Sequence, residues 1–132
     1  MNLQDFNDHY EYKYDAKGRD RWRVLMRDPD GMFRGDCEDY SLSVLYHVIS
    51  GGSWLKFWFY QITFQAQLCG CHTEGCGGHA VLRYRGQYID NWTKKWVDRR
   101  HMEGLGHDFW PWYLAIIPTT VALKMLVAKV NP

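Results

Sequence analysis

Arg34-Gly35-Asp36-Cys37-Glu38-Asp39-Tyr40 is followed at once by apolar residues at helical spacing: Leu42, Leu45 and Ile49, with Val44 and Val48. Gly51-Gly52 ends the pattern. Asp36 is placed to cap this helix. Glu38 and Asp39 fall in its first turn, where carboxylates suit the helix dipole. Cys37 is therefore predicted on the first turn, beside free backbone N–H groups. Those amides, and any neighbouring imidazolium, favour the thiolate, which is the nucleophilic form. The Cys37 amide is also a candidate oxyanion donor. A free cysteine is as often a buried structural residue, and two acids beside it oppose ionisation of the thiol.

A hairpin supplies the partners that such a thiol needs. His79, Val81 and Arg83 alternate with Ala80, Leu82 and Tyr84; Gly86 marks a turn, and 87–91 reads as the return strand. With a two-residue Arg85-Gly86 loop, Tyr84 opposes Gln87, Val81 opposes Asp90 and His79 opposes Trp92. Asp90 then shares the face of His79, on a diagonal of about 7–8 Å between backbones. A three-residue loop would turn Asp90 to the other face. A nucleophile, a base and a residue orienting the base are the parts of a thiol acyl-transfer site. Taken alone, a strand histidine such as His79 is more often a structural residue.

Gly-Asp-Cys-Glu-Asp-Tyr at 35–40, Gly-His-Ala-Val-Leu at 78–82 and Ile-Asp-Asn at 89–91 resemble the motifs of bacterial transglutaminase-like cysteine proteinases. These belong to the papain-like and transglutaminase-like superfamily. Trp22 falls where that family often carries an aromatic, and the resemblance runs over residues 20–98. It implies Cys37 as nucleophile, His79 as base and Asp90 as orienting carboxylate. It implies an α+β fold in which a helix carrying the Cys packs on an antiparallel sheet, a protein or peptide substrate, and no cofactor for catalysis. The short chain suits a small phage-encoded member.

The chain has 132 residues, 46% of them hydrophobic and 17% aromatic, enough for one core and too few for two ordinary domains. One domain spanning 1–132 is expected. A formal net charge of +1, with acids interrupting the arginines at 19, 21, 23 and 27, gives no nucleic-acid footprint. The start, Met1-Asn2-Leu3-Gln4-Asp5, has no basic-then-apolar pattern, and the apolar stretch 112–130 is broken by Pro118 and carries Lys124 and Lys129. A cytoplasmic protein without membrane contact is expected; oligomeric state is not readable. Along the chain, 1–19 reads as an irregular arm and 20–26 as a short helix. Asp28-Pro29-Asp30-Gly31 reads as a turn. Residues 54–68 read as strand, from the alternation of Ile62, Phe64, Ala66 and Leu68. Then 101–108 reads as loop, 112–117 as strand and 118–129 as helix.

Cys69, Cys71, His72 and Cys76 lie within eight residues and are a candidate tetrahedral zinc set, although their spacing differs from paired Cys-x2-Cys knuckles. A glycine-rich loop with incidental thiols, or a wall of a substrate cleft, fits the same residues. Trp92, Trp96, Trp110 and Trp112 are read first as core, with the rim of a cleft near the hairpin as the alternative. Two function classes follow. One is a cysteine peptidase, amidase or transglutaminase-like acyltransferase. The other is a non-catalytic, zinc-stabilised module on the same fold that binds a host or partner protein; a blocked Cys37 or a His79 turned into the core favours it.

Overall fold

In the computed structural model, which describes residues 1–14, 21–73, 77–110 and 116–130, the helix of Cys37 starts where the sequence places it. Helix α2 (Cys37–Ser43) is capped reciprocally. Asp36 accepts from the Asp39 amide, and the Asp39 carboxylate accepts from the Asp36 amide. The helix widens into π-type turns over Val44–Ile49 and stops at Gly51 and Gly52, both at positive φ.

The segment expected as a short helix at 20–26 is not helical over its described residues. Its backbone is claimed by side chains of the Cys37 helix. Asp39 Oδ1 accepts the Arg23 N–H at 3.1 Å, and Ser43 Oγ accepts the Leu25 N–H at 2.7 Å. His47 Nε2 donates to the Leu25 carbonyl at 2.8 Å. Positions 39, 43 and 47 recur every fourth residue on one helix face, so they form a ladder for an extended chain. Residues 1–14, read as part of an irregular arm, are also structured. Asn2 caps α1 (Leu3–Asp8), whose Phe6 is fully buried against Tyr10, Phe33 and Tyr40. Strand β1 (Tyr10–Tyr12) then pairs in parallel with β2 (Phe33–Gly35).

Most of the strand expected at 54–68 is helix α3 (Trp54–Ile62). Ser53 caps it by accepting from the Lys56 amide. Phe57 and Gln61, four residues apart, are its buried positions. Aromatic content signals strand by propensity, but packing of Phe57 against Tyr46, Trp54 and Trp58 selects the helical period. Phe64, at φ 58°, reverses the chain into β3 (Ala66–Thr73).

The fold is α+β. Strand β3 pairs antiparallel with β4 (Gly77–Tyr84), β4 with β5 (Gln87–Ile89), and β3 with β6 (Asp108–Phe109), in the order β5-β4-β3-β6. Leu68, Leu82 and Ile89 join Leu42 and Leu45 of the Cys37 helix in the main core. Cys71, Val81 and Tyr88 alternate with those strand residues and pack instead on Met102 of α4 (Arg99–Gly104). The expected loop at 101–108 is thus partly α4, capped by Asp98. Helix α5 (Pro118–Val130) agrees with expectation. The expected strand at 112–117 lies largely outside the described residues; Ile116 bridges Leu68. Among the described residues no helix is long and apolar enough to cross a membrane.

Ser43→Ala tests the ladder. The buried Leu25 amide would lose its acceptor, so unfolding in urea should show a loss of about 1–3 kcal/mol. A loss below about 0.5 kcal/mol would mean that the 21–26 segment does not depend on the helix for its hydrogen bonding.

Candidate functional site

The β4–β5 connection is the two-residue Arg85-Gly86 turn, with φ of 49° and 80°. Positive φ at both residues is the type I′ geometry that follows strand twist. The register pairs Tyr84 with Gln87 and Leu82 with Ile89, as the even-length turn requires. The ladder stops at Ile89, two residues short of the expected strand end. Asp90 opens a turn there: its Oδ1 accepts from the Trp92 amide (3.1 Å), the Thr93 amide (2.7 Å) and Thr93 Oγ1 (2.9 Å).

Asp90 Oδ2 faces His79, whose Nε2 lies 2.8 Å away; both residues are buried. Trp92 covers the His79 ring in a stacked contact, centroids 4.2 Å apart, while staying half exposed. For Trp92 the cleft reading is therefore the right one. Burial alone would raise the Asp90 carboxyl. Hydrogen bonds from His79, the Thr93 amide and His107 outweigh it and hold the group well below the usual carboxylate range.

Cys37 is the first residue of its helix, and the Ala80 amide of β4 approaches its sulfur. Cys37, His79, Asn91 and Trp92 line one cavity of about 460 Å³. On the other side, Trp22, Gly70, Trp110 and Lys124 line a second, of about 360 Å³. Glu38, Gly78 and His79 are common to both, so the two form a groove divided at Glu38 and His79. Gly70 is required here, since a Cβ would stand 2.3 Å from the Trp110 ring. The Cys37 thiol donates to Glu38 Oε2 at 3.4 Å. Burial, then the Glu38 charge, push the thiol strongly up, and the Ala80 amide opposes them only in part.

Asn91 does not share the His79 contact. It is buried beside Tyr10, and its Oδ1 has no hydrogen-bond partner among the described residues. Of the four zinc candidates, Cys69, Cys71 and His72 lie in β3, where His72 is exposed on the face opposite Cys71. Adjacent strand residues diverge, so those two do not converge on one ion. Cys76 lies outside the described residues. Burial raises both the Cys69 thiol and the Cys71 thiol, the latter to about 12.

The residue that sequence reasoning missed is His107. After α4, Gly106 at φ 93° turns the chain, and His107 Nε2 reaches Asp90 Oδ2 at 2.8 Å. Its Nδ1 lies 3.1 Å from the Met102 carbonyl oxygen. No spacing ties Gly106-His107-Asp108 to the hairpin; a capping Asp98 before residues 99–104 is the one local signal for the helix that delivers it. Among the described residues, His79, Asp90 and His107 are the group whose potential metal-ligand atoms converge.

The chain matches no protein-family model, no curated protein and no solved structure.

Asp90 makes acid stability a readout of the site. A carboxyl that titrates lower when folded contributes stability above its unfolded value, near pH 4, and loses it as pH falls from there toward the folded value. Asp90→Asn should therefore be less stable than wild type at pH 7, with the gap narrowing below about pH 4. A gap that stays constant with pH in denaturant titrations would exclude the charge of Asp90 as its source.

Proposed function

We propose that this chain is a thiol-dependent acyl-transfer enzyme, a peptidase or amidase of the transglutaminase-like kind, acting on a protein or peptide substrate. The observation that carries the reading is the His79–Asp90 bond of 2.8 Å at the rim of the cavity that also holds Cys37 at a helix start. Nε2 of His79 is committed to Asp90, which leaves Nδ1 as the ring nitrogen for the thiol.

In the reaction, His79 Nδ1 takes the Cys37 proton and the sulfur attacks the carbonyl carbon, forming a C–S bond. The Cys37 amide at the helix start is the donor available to the developing oxyanion. The imidazolium, paired with Asp90, returns its proton to the leaving amine as the C–N bond breaks. Water then attacks the thioester, His79 accepting its proton, and the acid and thiol are released. An amine in place of water makes the reaction a transamidation.

The thiol's contact with Glu38 supports a second reading, a protein-binding module with a blocked cysteine. Reactivity separates the two. With the Glu38 charge removed in Glu38→Gln, limited iodoacetamide at neutral pH should modify Cys37 ahead of Cys69 and Cys71, and adding His79→Ala should slow it. Glu38→Gln should speed it by about three- to tenfold, because a lower thiol pKa raises the thiolate fraction. Uniform labelling that ignores both substitutions would sink the enzyme reading. On any substrate found, Asp90→Asn should cost on the order of 10³-fold or more in turnover, while Asn91→Ala at matched melting temperature costs far less. The reverse order would mean that Asn91 orients the base.

A further inference from the structure

Asp90 brings two imidazole nitrogens, His79 Nε2 and His107 Nε2, to one carboxylate oxygen at 2.8 Å each. At His107 the donors can be counted. Its Nδ1 faces the Met102 carbonyl oxygen, which only accepts. A neutral ring has one N–H, so it can donate to only one of these two acceptors, Met102 or Asp90. The other nitrogen then faces an oxygen lone pair, a contact that a second proton or a metal ion would satisfy.

The surroundings are those of a ligand set. Oδ1 of Asp90 is occupied by the Trp92 and Thr93 amides and the Thr93 hydroxyl, so Oδ2 is the oxygen left to give. His107 is fixed from behind by a backbone carbonyl, the usual support of a metal-bound imidazole. The three ligand atoms lie within 4.8 Å of one another, and all three residues are buried. Around an ion with bonds of about 2.0–2.1 Å, tetrahedral ligand atoms stand about 3.3 Å apart. Each N···O approach therefore has to open by roughly half an ångström.

We propose that His79 Nε2, Asp90 Oδ2 and His107 Nε2 bind one divalent transition-metal ion, with zinc the natural occupant of an imidazole–carboxylate set. Binding uses the Nε2 lone pair of His79, and the proton it carried moves to Nδ1 or to solvent. With Nδ1 protonated, the ring cannot take the Cys37 proton. The ion and the His79–Asp90 hydrogen bond exclude each other, so metal holds the thiol site off. That regulatory consequence rests on the acyl-transfer reading; the binding does not.

The test is titration of the full chain with cobalt(II), with zinc(II) in competition. One equivalent should bind with visible d–d bands of a tetrahedral site and without intense thiolate-to-cobalt charge transfer. His107→Ala and His107→Gln should weaken binding at least about tenfold, while Cys37→Ser should bind as wild type does. Zinc should slow iodoacetamide labelling of Cys37 in wild type but not in His107→Gln. Absence of stoichiometric binding by folded wild type overturns the site. So does binding indifferent to both His107 variants, or thiolate charge transfer, which would place the ion on cysteines. Metal binding that leaves Cys37 labelling unchanged overturns the regulatory link alone. Cys37 that stays unreactive even in Glu38→Gln, with intact metal binding, overturns the acyl-transfer reading instead.

Discussion

A single buried carboxylate organises one side of this molecule. Asp90 is fully buried: Oδ1 accepts from the Trp92 and Thr93 amides and the Thr93 hydroxyl, and Oδ2 lies 2.8 Å from Nε2 of both His79 and His107. Burying a charge without such partners costs several kcal/mol or more, so the set exists as a whole or not at all. Its two oxygens divide the work. Oδ1 shapes the turn that ends β5, and the Asp90 carbonyl closes that turn by accepting from the Lys94 amide. Oδ2 joins β4, through His79, to the chain that leaves α4, through His107. The hairpin, the turn and α4 are thereby held in one arrangement by an acid that no apolar residue can replace without stranding its donors.

The other side of the site depends on the helix of Cys37. Asp39, Ser43 and His47 hold the 21–26 segment extended, and that segment carries Trp22 to the groove. The fit is close enough to dictate Gly35, where a Cβ would lie 2.6 Å from Asp39 Oδ2. The element that delivers the candidate nucleophile therefore also builds part of the groove wall beside it. Change in the buried face of this helix is felt in the groove even when no groove residue is touched.

What was legible in the sequence was local. The cap at Asp36, the stop at Gly51-Gly52 and the Arg85-Gly86 turn each follow from neighbouring residues, and each is found. Turn length mattered most. Strand side chains alternate, so one extra loop residue would have set Asn91 beside His79 and turned Asp90 away. What was not legible depended on distant partners. Residues 21–26 have a composition open to helix, but Asp39 and Ser43 take their amides. Residues 54–62 are rich in strand formers, yet Ser53 and the pocket around Phe57 make them helical. His107 is brought to Asp90 by a short helix and a glycine turn, and no motif announces that meeting.

The position of Glu38 ties the state of the thiol to the state of the groove. Its carboxylate accepts from Cys37 and borders both cavities, so a chain lying along the groove must pass over it. Two effects push the thiol up: burial and this neighbouring negative charge. An occupant that draws Glu38 aside removes the hydrogen-bond acceptor and moves the charge away in one step. The Ala80 amide remains at the sulfur as a partner that favours the thiolate. On the acyl-transfer reading, the thiol is then guarded in the empty groove and released by the substrate that needs it. Binding energy from peptide contacts far from the sulfur would thus be used to form the nucleophile rather than only to hold the substrate.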